Sequence, residues 1–177
     1  MGRSIVRNTM TTPEWIAQIC PDNIELMNDF LDYLNGTKAE STIREYRFDL
    51  RIAFCWGLNN LGNIPFVNWK KKDIQKYQNY LVNDCHLSPA RVKRMESVIS
   101  SLSNYIERMC DDDYPEFRNL VKVIERPTLT PTAEKTVYTE EEVDNLLNFL
   151  TERKEYRKAC VVALAAFSGR RKSEILR

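Results

Sequence analysis

The sequence predicts an all-α protein. Three observations carry that reading. Apolar residues recur at spacings of three and four along most of the chain, the period of a helix face, and no stretch alternates as a strand would. Glycine is scarce, with 5 in 177 residues, and glycine is costly inside helices. Start and stop signals such as Thr12-Pro13, Ser88-Pro89, Thr139 and Ser168-Gly169 bracket the periodic segments.

The first ten residues carry no pattern. Thr12 caps a short helix that Pro13 opens, since proline lacks only an N–H that the first helical turn leaves unused. Asp22 opens a second helix, with Glu25 three residues on in capping-box spacing. Ile24, Met27, Phe30, Leu31 and Leu34 form its apolar stripe, and Asn35-Gly36 ends it. Ser41 caps a third, with Ile43, Tyr46, Leu50, Ala53 and Phe54 on its apolar face. Arg44, Arg47 and Arg51 fall at i, i+3 and i+7 of the same helix and so form a basic stripe on another face. Asn59-Asn60-Leu61-Gly62 is a loop. Asn68 caps a fourth helix that begins in Lys70, Lys71 and Lys72 and turns Ile74, Tyr77, Leu81 and Val82 inward.

Ser88-Pro89 opens a long fifth helix. Val92, Met95, Ile99, Leu102, Ile106 and Met109 lie on its core side; Arg91, Lys93, Arg94, Ser97 and Ser101 lie on or near its outer side. Asp111-Asp112-Asp113 breaks the pattern. A short helix over 115–124 follows, with Phe117, Leu120, Val121 and Ile124 inward. Then the composition changes. Pro127 and Pro131 interrupt a segment with no helical pattern, a linker between domains. Thr139 and Glu142 form a capping box for a helix carrying Val143, Leu146, Leu147 and Leu150. Residues 156–167 are an apolar helix that stops at Ser168-Gly169, and a further helix begins at Arg170. The expected organisation is an N-terminal arm with a short helix (1–21), a helical domain (22–126), a linker (127–138) and an incomplete second domain (139–177). About forty residues after the linker are too few for a core of their own.

The charge balance excludes little. The net charge is +1, without the strong basic excess of a dedicated nucleic-acid binder. Any nucleic-acid role must rest on where the charges sit. The 5 cysteines (Cys20, Cys55, Cys85, Cys110, Cys160) show no CxxC spacing and the single histidine is His86 in a polar turn. A zinc site is not expected on those spacings. Free thiols in a reducing compartment fit better, with Cys55 and Cys160 as small core residues. Tyr46, Tyr77, Tyr80, Tyr105 and Trp56 sit near apolar stripes and read as core. No apolar run reaches the roughly 20 residues of a membrane span, and Met1-Gly2-Arg3-Ser4 does not open a signal peptide. A cytoplasmic location is expected.

Two stretches resemble the tyrosine recombinases, the phage integrase family. The first carries Phe30-Leu31 and Leu34, the run from Ser41-Thr42-Ile43-Arg44 to Leu50, Asp73-Ile74 with Tyr77, and Ser88 leading to Val92, Arg94 and Tyr105. It is similar to the family's core-binding domain, a SAM-like helical bundle that closes over one side of DNA. The second runs from Tyr138-Thr139-Glu140-Glu141-Glu142 through Leu146-Leu147 and Ala163-Leu164 to Gly169-Arg170-Arg171-Lys172-Ser173-Glu174. It resembles the opening of the catalytic domain, where a Gly-x-Arg-x-Ser-Glu pattern carries the first catalytic arginine, here Arg171.

The resemblance implies site-specific DNA recombination, as in integration of a mobile element. In that family a tyrosine attacks a DNA phosphodiester and keeps the bond energy in a 3′-phosphotyrosyl link, so the resemblance implies no metal and no cofactor. Arg171 would donate two parallel hydrogen bonds to the charged non-bridging oxygens, oriented by Glu174. None of the tyrosines here follows the elements that precede the family's nucleophile, so the chain is expected to bind DNA without cutting it. The implied partners are double-stranded DNA and further copies of the full-length protein, as a tetramer on paired sites. The implied DNA contacts are Arg44, Arg47, Arg51, Lys70, Lys71, Lys72, Arg91, Lys93, Arg94, Ser97 and Ser101. Two other readings stay open: a stand-alone helical DNA-binding regulator, and a helical protein-interaction module with no nucleic-acid role.

Overall fold

A computed structural model of the chain describes residues 11–122, 124 and 138–175. All regular structure among the described residues is helical. The chain divides into two units, Met1–Thr130 and Pro131–Arg177. The first holds α1 (Pro13–Ile16), α2 (Pro21–Leu34), α3 (Glu40–Asn60), α4 (Lys71–Asn79) and α5 (Pro89–Met109); the second holds α6 (Glu140–Glu152), α7 (Tyr156–Ser168) and α8 (Lys172–Ile175). Residues 127–137 of the sequence linker, with Pro127 and Pro131, and the first ten residues lie outside the described residues.

Several predicted helix ends have the expected chemistry. Thr12 Oγ1 accepts from the Trp15 N–H at 3.4 Å, with Pro13 at the first position of α1. Ser88 Oγ accepts from the Arg91 N–H at 3.4 Å at the start of α5. Thr139 and Glu142 cap each other reciprocally, at 3.2 and 2.8 Å. Gly169 ends α7 in the left-handed region, at φ 63°, where a Cβ would be strained.

The last helix starts at Lys172 rather than Arg170, and three starts in the first unit also differ from expectation. α2 begins at Pro21, so Asp22 sits inside its first turn, where the helix dipole favours an acid without any capping bond. The cap residue, Cys20, is served from far along the chain: its N–H donates to Asn63 Oδ1 at 2.8 Å. α3 begins at Glu40 with Ala39 as its cap, leaving Ser41 inside the helix. Asn68 closes a 3-10 turn, Phe66–Asn68, and α4 starts at Lys71, where Asp73 Oδ2 accepts the Lys70 N–H at 3.0 Å.

The core of the first unit is one cluster drawn from α2 to α5 and the segment after α5. Its centre is aromatic. Phe54 meets Phe66 and Trp69 at ring-centroid distances of 6.0 and 6.4 Å, and Trp56 meets Trp69 and Tyr77 at 5.8 and 5.3 Å. Tyr46, Tyr80 and Tyr105 pack against this cluster while partly exposed. Asn23 is the polar pin in the wall: its Oδ1 accepts from the Phe66 N–H at 2.6 Å and its Nδ2 donates to the Ile64 carbonyl at 3.1 Å.

Two expected core residues are outside. Val82 is exposed because α4 passes into a π-helical turn, Tyr80–Asp84, which shifts the phase of the apolar stripe after Leu81. Met109 is exposed because the last turn of α5 runs past the cluster. Residues 115–122 form turns rather than the expected helix. Phe117, Leu120 and Val121 are buried all the same. Asn119 explains the difference. Its Nδ2 donates to the Ser100 carbonyl and Asn104 Oδ1 of α5, at 3.1 and 2.8 Å, and its Oδ1 accepts from the Val121 N–H at 2.9 Å. Those bonds tie the segment to α5 in competition with a helical ladder.

In the second unit Leu150 is the one buried apolar residue among those described. Leu146, Phe149, Val161, Leu164 and Phe167 are all exposed. Cys160 is exposed as well, against its reading as a core thiol, whereas Cys55 is buried. Burial pushes the Cys55 thiol up to about 11. A two-helix hairpin has only one inner seam, and α7 is apolar on more of its circumference than that seam can cover.

Candidate nucleic-acid interface

The predicted contact residues begin at a seam between α3 and α5. Arg91 holds Asp49 with both ends of its guanidinium, through Nη1 to Oδ2 at 2.8 Å and through Nη2 to Oδ1. One turn outward, Arg94 Nη2 meets Glu45 Oε2 at 3.1 Å. Numbers rise on one helix as they fall on the other, so the two helices run antiparallel here. The rungs differ in burial. The Asp49 and Arg91 side chains are 1% and 10% exposed; those of Arg94 and Glu45 are 41% and 30% exposed. Arg91 therefore turns inward, away from the outer side on which the sequence put it, and its planar fork is taken up by the carboxylate it matches. The Tyr77 hydroxyl lies buried beside this pair without a hydrogen-bond partner. Burial, and then the Asp49 charge, hold it well above its ordinary range.

Outward of the seam, Lys93 and Arg94 present charge in the second turn of α5, and Lys93 is exposed with no ion pair among the described residues. Arg94, Ser97 and Ser101 continue as one stripe at i, i+3 and i+7. Both serine hydroxyls donate back to their own helix, Ser97 Oγ to the Lys93 carbonyl and Ser101 Oγ to the Ser97 carbonyl, each at 2.8 Å. Their protons are spent there, so the free lone pairs suit a donor better than a phosphate oxygen.

Lys70, Lys71 and Lys72 are exposed at the first turn of α4. The end of a helix that already carries partial positive charge is the wrong place for cations on stability grounds. Asp73 is the one acid in that turn, and it also meets Lys76 at 3.8 Å. The positive field here is therefore reinforced more than it is cancelled.

The stripe on α3 lies elsewhere. At about 100° per residue, Glu45 and Asp49 stand roughly 100–140° around α3 from Arg44, while Arg47 and Arg51 stand on its other side. Stripe and seam are thus on opposite flanks. Arg44 pairs with Glu40 at 2.8 Å in full solvent, and Arg47 is exposed. Arg51 lines a groove with Glu25 and Asp29 of α2, and its buried Nε has no hydrogen-bond partner. Burial, and then the charge of Arg47, lower its affinity for its proton. α2 carries Asp22, Glu25, Asp29 and Asp32 and no basic residue.

In the second unit Arg171 is exposed at the start of α8. Its N–H donates to Glu174 Oε2 at 3.1 Å and its Nη1 lies 3.5 Å from Glu174 Oε1. The side chains of Lys172 and Ser173 lie outside the described residues. No cluster of metal-ligating side chains occurs among the described residues, and no helix among them is long and apolar enough to cross a membrane.

The sequence reading missed the roles of Glu45 and Asp49. Their i, i+4 spacing and the i, i+3 spacing of Arg91 and Arg94 were the available signal, but only the helix pairing brings the two sets together. Compared with protein families, curated proteins and solved structures, the chain matches none of them.

Proposed function

We propose that this chain is the DNA-gripping part of a cytoplasmic, site-specific tyrosine recombinase of the integrase type, its first unit a SAM-like core-binding bundle and its second the opening of the catalytic domain. The observation that carries the reading is the placement of cations against their own fold. Lys70, Lys71 and Lys72 crowd a helix N-terminus that disfavours them, and Lys93 stands exposed in the second turn of α5 in the same unit. Charges kept where they cost stability are understandable if phosphates meet them.

In this reading the ammonium groups attract the backbone of duplex DNA without reading its sequence. Arg94 meets a phosphate of the same backbone, and the lone pairs of Ser97 and Ser101 beside it reach toward base edges. Arg91 acts indirectly: its bond to Asp49 fixes α5 against α3 and so sets the direction in which Arg94 points. Gly169-x-Arg171-x-Ser173-Glu174 supplies the recombinase component, with Glu174 holding the arginine that would stabilise charge on the attacked phosphate. The tyrosine that attacks is not assigned in this sequence, and copies of the full-length protein would assemble on paired DNA sites.

Charge reversal at α4 separates this function from a purely structural role. Lys71→Glu with Lys72→Glu is expected to raise stability by about 0.3–1 kcal/mol per residue, because acids suit the helix N-terminus. The same change should weaken duplex binding and flatten its salt dependence by about one unit per lost phosphate contact. A more stable variant that binds DNA as well as the parent would remove the lysines from the interface; if Lys93→Ala with Arg94→Ala behaved likewise, the DNA reading would fall.

A further inference from the structure

From the seam between α3 and α5 we infer that Glu45 is a built-in competitor for the DNA phosphate, holding Arg94 in an ion pair that must open when DNA binds; the inference rests on the DNA reading above. Arg94 carries the outer rung of the ladder, and its partner is a carboxylate 3.1 Å away and 30% exposed. A phosphate approaching this flank meets a guanidinium already neutralised and a negative charge beside it. Binding exchanges one anion for another on the same donors.

The inner rung makes this exchange possible. Arg91 and Asp49 are buried and doubly bonded, so the helices stay together while the outer pair opens. An exposed pair of this kind is worth little on its own, so opening it is cheap. Its effect is discrimination: weak or isolated phosphates do not displace Glu45, whereas a duplex also held by neighbouring cations such as Lys93 does.

The opposite flank of α3 offers an internal control. Arg44 and Glu40 form a similar ion pair there, at 2.8 Å. At the far end of that flank Arg51 lines a groove with Glu25 and Asp29 of α2, a helix with four acids and no basic residue. Arg51 is thus set beside acids that repel a phosphate, and DNA approaches the Arg94 side. The two carboxylates sit on different faces of one helix, so removing each in turn shows which face the DNA meets.

The test is the affinity of the full chain for labelled mixed-sequence duplex DNA at low salt, for the parent, Glu45→Gln and Glu40→Gln. Glutamine keeps the shape and hydrogen bonding, and circular dichroism verifies the fold. Glu45→Gln should tighten binding about two- to fivefold, Glu40→Gln should change it little, and Arg94→Ala in the Glu45→Gln background should erase the gain. Parent binding that Glu45→Gln leaves unchanged or weakens overturns the competitor role while leaving the DNA reading intact. Tightening by Glu40→Gln alone overturns the assignment of the face. No binding by any of the three overturns the DNA reading and this inference with it.

Discussion

Asp49→Ala is expected to destabilise the first unit by about 3–5 kcal/mol, the cost of leaving one member of a buried ion pair without its partner. The Arg91 side chain is 10% exposed and spends both ends of its guanidinium on Asp49. With the carboxylate gone, the cation has neither water nor a counter-charge, and the nearby Tyr77 hydroxyl cannot replace a carboxylate. Against the roughly 5–15 kcal/mol that holds a typical domain together, the loss is severe. Arg91→Ala should cost a similar amount, since it strands the carboxylate instead. The pair itself is a poor source of net stability, because desolvation consumes most of its attraction. Asp49→Leu combined with Arg91→Met should therefore recover most of what either single change loses. Urea unfolding of the two single variants and the double checks this, provided the slope with denaturant stays constant. A loss below about 1 kcal/mol for Asp49→Ala would mean that the seam is solvated and the pair behaves as a surface one.

Gly57→Ala sets two effects of opposite sign against each other. Alanine in place of glycine inside a helix gains about 1 kcal/mol in propensity. Here the added methyl would stand 2.4 Å from Cζ2 of Trp69, well inside contact distance. Trp69 has little room to retreat: it is 3% exposed and flanked by Phe66 at 5.2 Å and Trp56 at 5.8 Å between ring centroids. Its Nε1–H also reaches the Ile64 carbonyl at 3.4 Å. Overpacking of a filled core typically costs about 1–3 kcal/mol, so the clash should win, with a net loss of about 1–2 kcal/mol. Thermal unfolding reads the sign directly. Trp69→Phe removes the clashing atom, so Gly57→Ala should cost less in that background than in the parent. A rise in melting temperature for Gly57→Ala alone would show that the tryptophan moves freely.

The same two sites mark what the sequence could and could not reveal. Helix identity was legible because it depends on neighbours: the 3–4 spacing of Met27, Phe30, Leu31 and Leu34, or the Thr139–Glu142 exchange, needs nothing outside its own segment. Gly57 interrupts an apolar helix, and its reason sits twelve positions on, in Trp69. Asn119 turned an apolar pattern that reads as helix into a strap, through bonds to α5 that local spacing cannot contain. Boundaries failed where a cap came from elsewhere, as Asn63 does for α2. Charges were harder still. Arg44, Arg47, Arg91 and Arg94 look equivalent as basic residues on helix surfaces. Packing buries one against Asp49, pairs one with Glu45, and leaves the other two on a different flank of α3.

The most direct test of the account is the affinity of the full chain for duplex DNA measured across a salt series. The account predicts binding at low salt that weakens linearly in log–log form, with a slope near −0.9 for each phosphate contacted, and loss of several such units when Lys71, Lys72, Lys93 and Arg94 are neutralised together. A folded chain that shows no duplex affinity at low salt, or an affinity indifferent to salt and to those four residues, would contradict it.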